Sequence, residues 1–373
     1  MSASPAIIGL DASRAVSAAP TGTEAYSYHL IRALLPRLTE AEVRLYLREP
    51  PAAGAFPGAT LRVMPFPRLW THLRLSWELL RHPPDLLFVP AHVLPLWHPR
   101  RALVTVHDLG YRYFPEAHPP GQRRYLDWST RWNAARAVHI VADSQATRAA
   151  LQREYGTPPE KISVVYPGYE SVLAPVRDLD ALAAVRARYG LPDCYALFLG
   201  RIQPRKNLAR LVDAFAQLAT RFPALHLVLA GPTGWLAEPI RAQVRALGLA
   251  ERVHFPGYVA AADKAALLSG AQLFAFPSLY EGFGFPVLEA QACAVPVLTS
   301  TTSSLPEVAG EGALLVDPLD TAAIAAGMAR LLTEAPLRET LRAGGRANLT
   351  RFSWAAAAEQ VAALMWQLLA REK

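Results

Sequence analysis

Short apolar runs and helical segments alternate along almost the whole chain, and this alternation leaves few folds open. In the first half the runs are Ala6–Leu10, Val43–Leu47, Thr60–Met64, Leu86–Val89, Leu103–Val106 and Ala137–Ala142. Each is short, aliphatic and bounded by turn residues, so each reads as a buried strand. Helical segments such as Thr71–Arg81 and Gly121–Ala134 separate them. Strands spaced by helices predict a parallel sheet wrapped on both faces. The second half repeats the scheme with Tyr195–Leu199, Leu227–Ala230 and Leu273–Phe276. It also carries an amphipathic helix marked by Leu208, Leu211, Phe215 and Leu218. At 373 residues the chain exceeds one comfortable core and suits two such domains, with the boundary near 172–192.

In doubly wound sheets ligands bind at the carboxyl ends of strands, so the strand ends carry the functional reading. Leu273–Phe276 leads into a loop with Gly282 and Gly284, then Pro286 and the helical text VLEAQAC. That helix points its N-terminus back at the loop, where unpaired N–H groups and partial positive charge favour a phosphate. Glu281 and Glu289 bracket the helix start, and ionised carboxylates accept hydrogen bonds from hydroxyls. Phosphate donors beside hydroxyl acceptors suggest a sugar nucleotide; taken alone, the same text also fits a capped helix with a surface glutamate. Tyr195–Leu199 ends in Gly200-Arg201, with Arg205 and Lys206 close behind. Three cations on one strand-to-helix loop make a diphosphate clamp.

Other strand ends are less specific. Ala102–Val106 ends in His107-Asp108, and Val138–Val141 in Ala142-Asp143-Ser144. Asp108 either fixes the His107 tautomer or caps the following turn. The opening strand ends in Asp11 before a loop with Gly22, without a G-x-G-x-x-G, which argues against a nicotinamide site. No P-loop text occurs. Asp178-Leu179-Asp180, the Asp-x-Asp of the chain, falls in a charged linker helix and makes a poor metal site.

The formal net charge is +7, of which +5 falls in residues 1–175. Such a field draws anions, but no nucleic-acid motif accompanies it, so nucleic acid is not expected as a partner. Leu69–Arg81, LWTHLRLSWELLR, reads first as an amphipathic core helix with a solvated rim and second as a face touching anionic lipid. Cys194 and Cys293 read as buried thiols in a reducing compartment. The polar start leaves no room for a signal peptide, and no apolar run reaches membrane-spanning length. These features place the chain in the cytoplasm, with peripheral contact at the inner membrane face as the lipid-binding alternative.

EGFGFPVLE, with seven residues between Glu281 and Glu289, resembles the E-x7-E motif of retaining glycosyltransferases of the GT-B fold, family 4. The flanking text from Pro277 to Pro318 agrees, and a looser likeness covers the first half. The resemblance implies two Rossmann-like domains facing across a cleft: residues 1–175 on the acceptor side, 176–355 binding the nucleotide sugar, and a helix at 356–373 crossing back to the first. It implies catalytic roles for Glu281, His107, Arg201 and Lys206. It implies donor contacts from Gly22, Arg201, Lys206, Gly231, Val259, Gly282, Phe283, Gly284, Phe285 and Glu289. Hexosyl transfer with retained configuration and no required metal follows, in polysaccharide or cell-envelope biosynthesis. RKNL, GPTGW and GYV favour GDP-mannose as donor, with UDP-glucose behind it; the acceptor is a growing or lipid-linked glycan. A GT-B sugar-nucleotide epimerase or phosphorylase, a glycosidase and a non-catalytic sugar-nucleotide sensor stay open beside it.

Overall fold

A computed structural model describes residues 5–16, 22–91, 93–232, 234 and 238–370. Met1–Ser4 of the polar start, Thr21 beside Gly22, and Thr233 and Trp235 of GPTGW lie outside the described residues. The chain forms two compact units. One comprises residues 1–112, 120–168 and 352–373; the other comprises 113–119 and 169–351.

The first unit holds a seven-stranded parallel sheet in the order β3-β2-β1-β4-β5-β6-β7. Its strands are β1 Ile7–Asp11, β2 Glu42–Leu47, β3 Thr60–Val63, β4 Leu86–Val89, β5 Ala102–Val106, β6 His139–Ala142 and β7 Ile162–Val164. β4 and β5 are buried at every position, as continuous apolar runs require when helices cover both faces. The last helix, Trp354–Ala370, packs on Gly22–Leu34 of this unit and buries Ala358, Val361 and Met365. Trp354 stacks on His29 at 5.4 Å, and Ser353 caps the helix, its Oγ accepting from the Ala355 amide at 3.2 Å.

The second unit holds six parallel strands in the order β10-β9-β8-β11-β12-β13. These are β8 Tyr195–Leu199, β9 His226–Ala230, β10 Val253–Gly257, β11 Leu273–Phe276, β12 Val297–Ser300 and β13 Ala313–Val316. This is the doubly wound order, and the strands, all parallel, are laid down to one side of β8 and then, from β11 onward, to the other. The helix Leu208–Leu218 covers one face with Leu208, Leu211, Val212, Phe215 and Leu218 buried, following the 3.6-residue period.

Two readings of the sequence change. Thr71–Arg81 opens as a π-helical turn, Thr71–Leu75, before the α-helix Ser76–Arg81. Trp70, Leu75 and Leu79 are buried as a core face should be, but the opposite face is not a polar rim. Leu69, Leu73, Trp77 and Leu80 are 62%, 50%, 53% and 50% exposed. Of the two thiols, Cys293 is buried but Cys194 only partly so. Among the described residues no helix is long and apolar enough to cross a membrane.

Candidate active site

The second unit gathers charge at its switch point. The loop after β8 leads through Arg205 and Lys206 to Asn207, and the loop after β11 carries Tyr280 to Gly284. The two loops are tied by main chain, since the Leu279 amide donates to the Arg205 carbonyl at 2.9 Å. Asn207 takes a left-handed conformation (φ 61°) that asparagine tolerates, and its Nδ2 donates to the carbonyls of Pro277 and Pro318.

Glu281 sits at the centre, 7% exposed. Its Oε1 accepts from Lys206 Nζ at 2.6 Å and its Oε2 from Arg205 Nη1 at 3.0 Å. Burial pushes the Glu281 carboxyl upward, but Arg205 and Lys206 together with their hydrogen bonds hold it below the usual carboxylate range. Lys206 also lies 4.9 Å from the Phe276 ring centroid, so an aromatic face shares its charge. The Glu281 amide donates to Ser303 Oγ at 2.9 Å, and Ser304 Oγ donates to the Glu281 carbonyl at 2.9 Å. Two cations and one carboxylate leave this cluster with surplus positive charge.

The adjoining helix, Phe285–Ala292, starts at Gly284 with no side-chain cap. Gly284 has φ +118°, and a Cβ there would lie 2.9 Å from Leu305 Cδ2. One turn in, Glu289 accepts from Lys264 Nζ at 2.9 Å, while Lys264 also reaches Glu170 Oε1 at 3.2 Å. Burial raises the Glu289 carboxyl despite that partner. Gly231, at the end of β9, has φ +133°; a Cβ would stand 2.1 Å from the Gly200 carbonyl oxygen. Only glycine lets these two strand-end loops touch.

The structure thus brings Lys206, Glu281, Gly282, Phe283, Gly284 and Phe285 to one junction and adds Arg205 to it. Val259 is buried after β10. Arg201 is exposed and makes no hydrogen bond or ion pair among the described residues, so it stands outside the Glu281 cluster. Gly22 is exposed at the first position of its helix in the first unit. Sequence reasoning gave no role to Lys264 or Glu170, whose meeting with Glu289 depends wholly on folding.

In the first unit His107 Nδ1 meets Asp143 Oδ2 at 2.5 Å and Nε2 meets the Pro90 carbonyl at 3.0 Å. Its partner is therefore Asp143, not Asp108, whose Oδ1 instead accepts the Gly110 amide and caps the next turn. Asp178 accepts from the amides of Asp180 and Ala181 and serves as a helix cap. Among the described residues no group of three or more His, Cys, Asp or Glu side chains is placed to hold a metal ion.

Comparison with known proteins follows this geometry. Residues 188–348 match the family Glycosyl transferases group 1, and residues 20–173 match Glycosyltransferase Family 4. The chain is 33% identical to the O-antigen chain mannosyltransferase B of Escherichia coli, over 77% of this chain and 75% of that protein. It is 34% identical to the D-inositol 3-phosphate glycosyltransferase of Streptomyces bingchenggensis (strain BCW-1), over 61% of this chain and about half, 52%, of the relative. Among solved structures, Anabaena Alr3699/HepE in complex with UDP and glucose superposes with a TM-score of 0.74 at 20% identity, covering 97% of this chain and 99% of that one.

Proposed function

Because the chain belongs to the group 1 glycosyltransferases of family 4, enzymes that move hexose from sugar-nucleotide donors, we propose that it transfers mannose from GDP-mannose to a glycan hydroxyl with the anomeric configuration retained. The carrying observation is Glu281 fixed between Arg205 and Lys206 at a switch point, beside an uncapped helix start. Lys206, Arg205 and that helix end stabilise the departing diphosphate, with exposed Arg201 available to reach it. Glu281 orients the sugar hydroxyls and Glu289 the ribose, since both carboxylates accept hydrogen bonds. With the diphosphate charge met by fixed groups, no divalent metal is required. His107, held by Asp143 in the first unit, is carried in this reading as a further catalytic group.

Mannose is favoured by the mannosyltransferase relative, and GDP by the RKNL and GYV text. The acceptor is a growing or lipid-linked glycan of the cell envelope, met at the cytoplasmic membrane face. The exposed row Leu69, Leu73, Trp77 and Leu80, with Arg81 held 4.5 Å over the Trp77 ring, supports contact there with an anionic bilayer. A thermal-shift screen over GDP-, UDP-, ADP- and dTDP-sugars, with and without chelator, tests the reading. Stabilisation by GDP-mannose that survives chelation is expected; a shift abolished by chelator would overturn the metal-free mechanism, and a shift confined to another donor would reassign the substrate.

A further inference from the structure

We propose that Ser303 is a positioning residue for Glu281: it keeps a left-handed backbone that suits glycine better, and its hydroxyl accepts the Glu281 amide. The inference rests on the glycosyltransferase reading and deepens it by naming what aims the Glu281 carboxylate.

The loop that carries Glu281 is fixed by the segment at the end of β12. Thr299 to Ser304 reads TSTTSS, six hydroxyl side chains in succession. Thr299 Oγ1 donates to the Phe276 carbonyl at 2.9 Å, Ser300 Oγ to that of Ser278 at 2.7 Å and Thr302 Oγ1 to that of Leu279 at 3.1 Å. Ser304 Oγ shares its one proton between the carbonyls of Glu281 and Phe283, at 2.9 and 2.6 Å. From the other side Arg205 Nη1 donates to the Tyr280 carbonyl at 2.6 Å. Each of these contacts gives a loop carbonyl its donor. Ser303 reverses the direction: its Oγ is the acceptor, and the Glu281 amide donates to it.

Ser303 also differs in its backbone. It has φ +53°, in the left-handed region, and no other residue of the hydroxyl run does. A side chain there is strained where glycine is not. Glycine, however, would bring no hydroxyl to Glu281. Strained residues persist where the surrounding structure over-determines them, and they gather at active sites. Glu281 is 7% exposed, so an amide left without an acceptor there is costly. The contact holds the main chain from which the carboxylate reaches Lys206 and Arg205. Two residues on, Leu305 Cδ2 would stand 2.9 Å from a Cβ at Gly284. One short segment therefore sets both the Glu281 main chain and the start of the helix behind it.

Two substitutions in the full chain separate aim from stability. Ser303→Gly relieves the backbone and removes the acceptor. Ser303→Thr keeps the acceptor and adds a branched side chain, which the left-handed region disfavours. Tm should therefore hold in the glycine variant and fall in the threonine variant. Turnover, read as GDP release from GDP-mannose with water as acceptor, should move the other way. A fall of about tenfold or more in kcat, with KM little changed, is expected for Ser303→Gly, and recovery for Ser303→Thr. Hydrogen exchange of the Glu281 amide should quicken in the glycine variant alone. Turnover that follows Tm across the three proteins, full kcat in the glycine variant, or equal exchange in all three would overturn the role. If the unaltered chain releases no GDP from GDP-mannose, the donor reading fails, and the three proteins are compared on whichever UDP-, ADP- or dTDP-sugar it turns over. Turnover of none removes the glycosyltransferase reading, and the exchange comparison then decides whether Ser303 holds Glu281.

Discussion

His107 and Asp143 face each other across neighbouring strand ends, Nδ1 to Oδ2 at 2.5 Å, and the second ring nitrogen of His107 points to the Pro90 carbonyl. Both ring nitrogens have an oxygen partner, an arrangement that suits the protonated ring, although burial raises the Asp143 carboxyl as well. Burial alone would lower the ring's affinity for the second proton; the charge and hydrogen bond of Asp143 raise it above the ordinary value instead. The raised His107 therefore contributes stability that is fully present below the unfolded value of about 6.5 and is lost as pH rises through the higher folded value. Asp143→Asn should send the His107 titration, followed by NMR of the ring protons, downward past its ordinary position. A titration that stays put would show that Asp143 does not hold the charge.

Glu281→Ala leaves Arg205 and Lys206 facing each other without their carboxylate in a buried setting. A loss of about 3 kcal/mol in chemical denaturation is expected, together with loss of turnover. Undiminished transfer by this variant would remove Glu281 from the mechanism.

Lys206→Ala takes away one of the fixed charges assigned to the leaving diphosphate. Turnover should fall about 10²- to 10³-fold at saturating donor, the scale seen when one preorganised donor is deleted. A rise in KM alone, with kcat intact, would make Lys206 a ground-state binding group.

Lys264→Met removes the cation that favours the charged form of Glu289, while burial and Glu170 continue to oppose it. The carboxyl then titrates higher. Donor KM should begin to rise at a higher pH than in the unaltered enzyme as pH is lowered, with kcat little changed. Lys264→Arg should restore the original profile; coincident profiles in all three proteins would deny Lys264 this role.

Gly231→Ala drives a methyl group into the Gly200 carbonyl and demands φ +133° from an L residue. Destabilisation of about 2–3 kcal/mol is expected, from overpacking plus backbone strain, and is read as a drop in Tm.

Both sheets were legible because buried parallel strands are unbroken apolar runs, and Leu86–Val89, Tyr195–Leu199 and Leu273–Phe276 have the bounds their text predicts. Val297–Ser300 and Ala313–Val316 were not read as strands, being four-residue runs amid serine, proline and glycine. Local text marked Glu281 and Lys206 separately, but not their union, since they lie 75 residues apart and meet only when β8 pairs with β11. Asp108 was read either as the partner of His107 or as a cap of the following turn, and it is the cap. The partner of His107 is set by the sheet: Val106 lies level with Ala142 in the β5–β6 register, which puts the residues that follow, His107 and Asp143, side by side. Lys264 gave no local signal, because Ala261–Ser269 reads as an ordinary surface helix.

The packing of Trp354–Ala370 on Gly22–Leu34 has a consequence for biosynthesis. Gly168 leaves no room for a side chain against the Trp354 main chain, so the closing helix is seated against the first unit, not loosely appended. During synthesis the earlier Rossmann-like half must wait, its groove for that helix uncovered, until the whole of the later half has been translated. Released chains ending before residue 354 should therefore yield a protease-resistant second half without a resistant first one, the reverse of the usual N-to-C order of maturation.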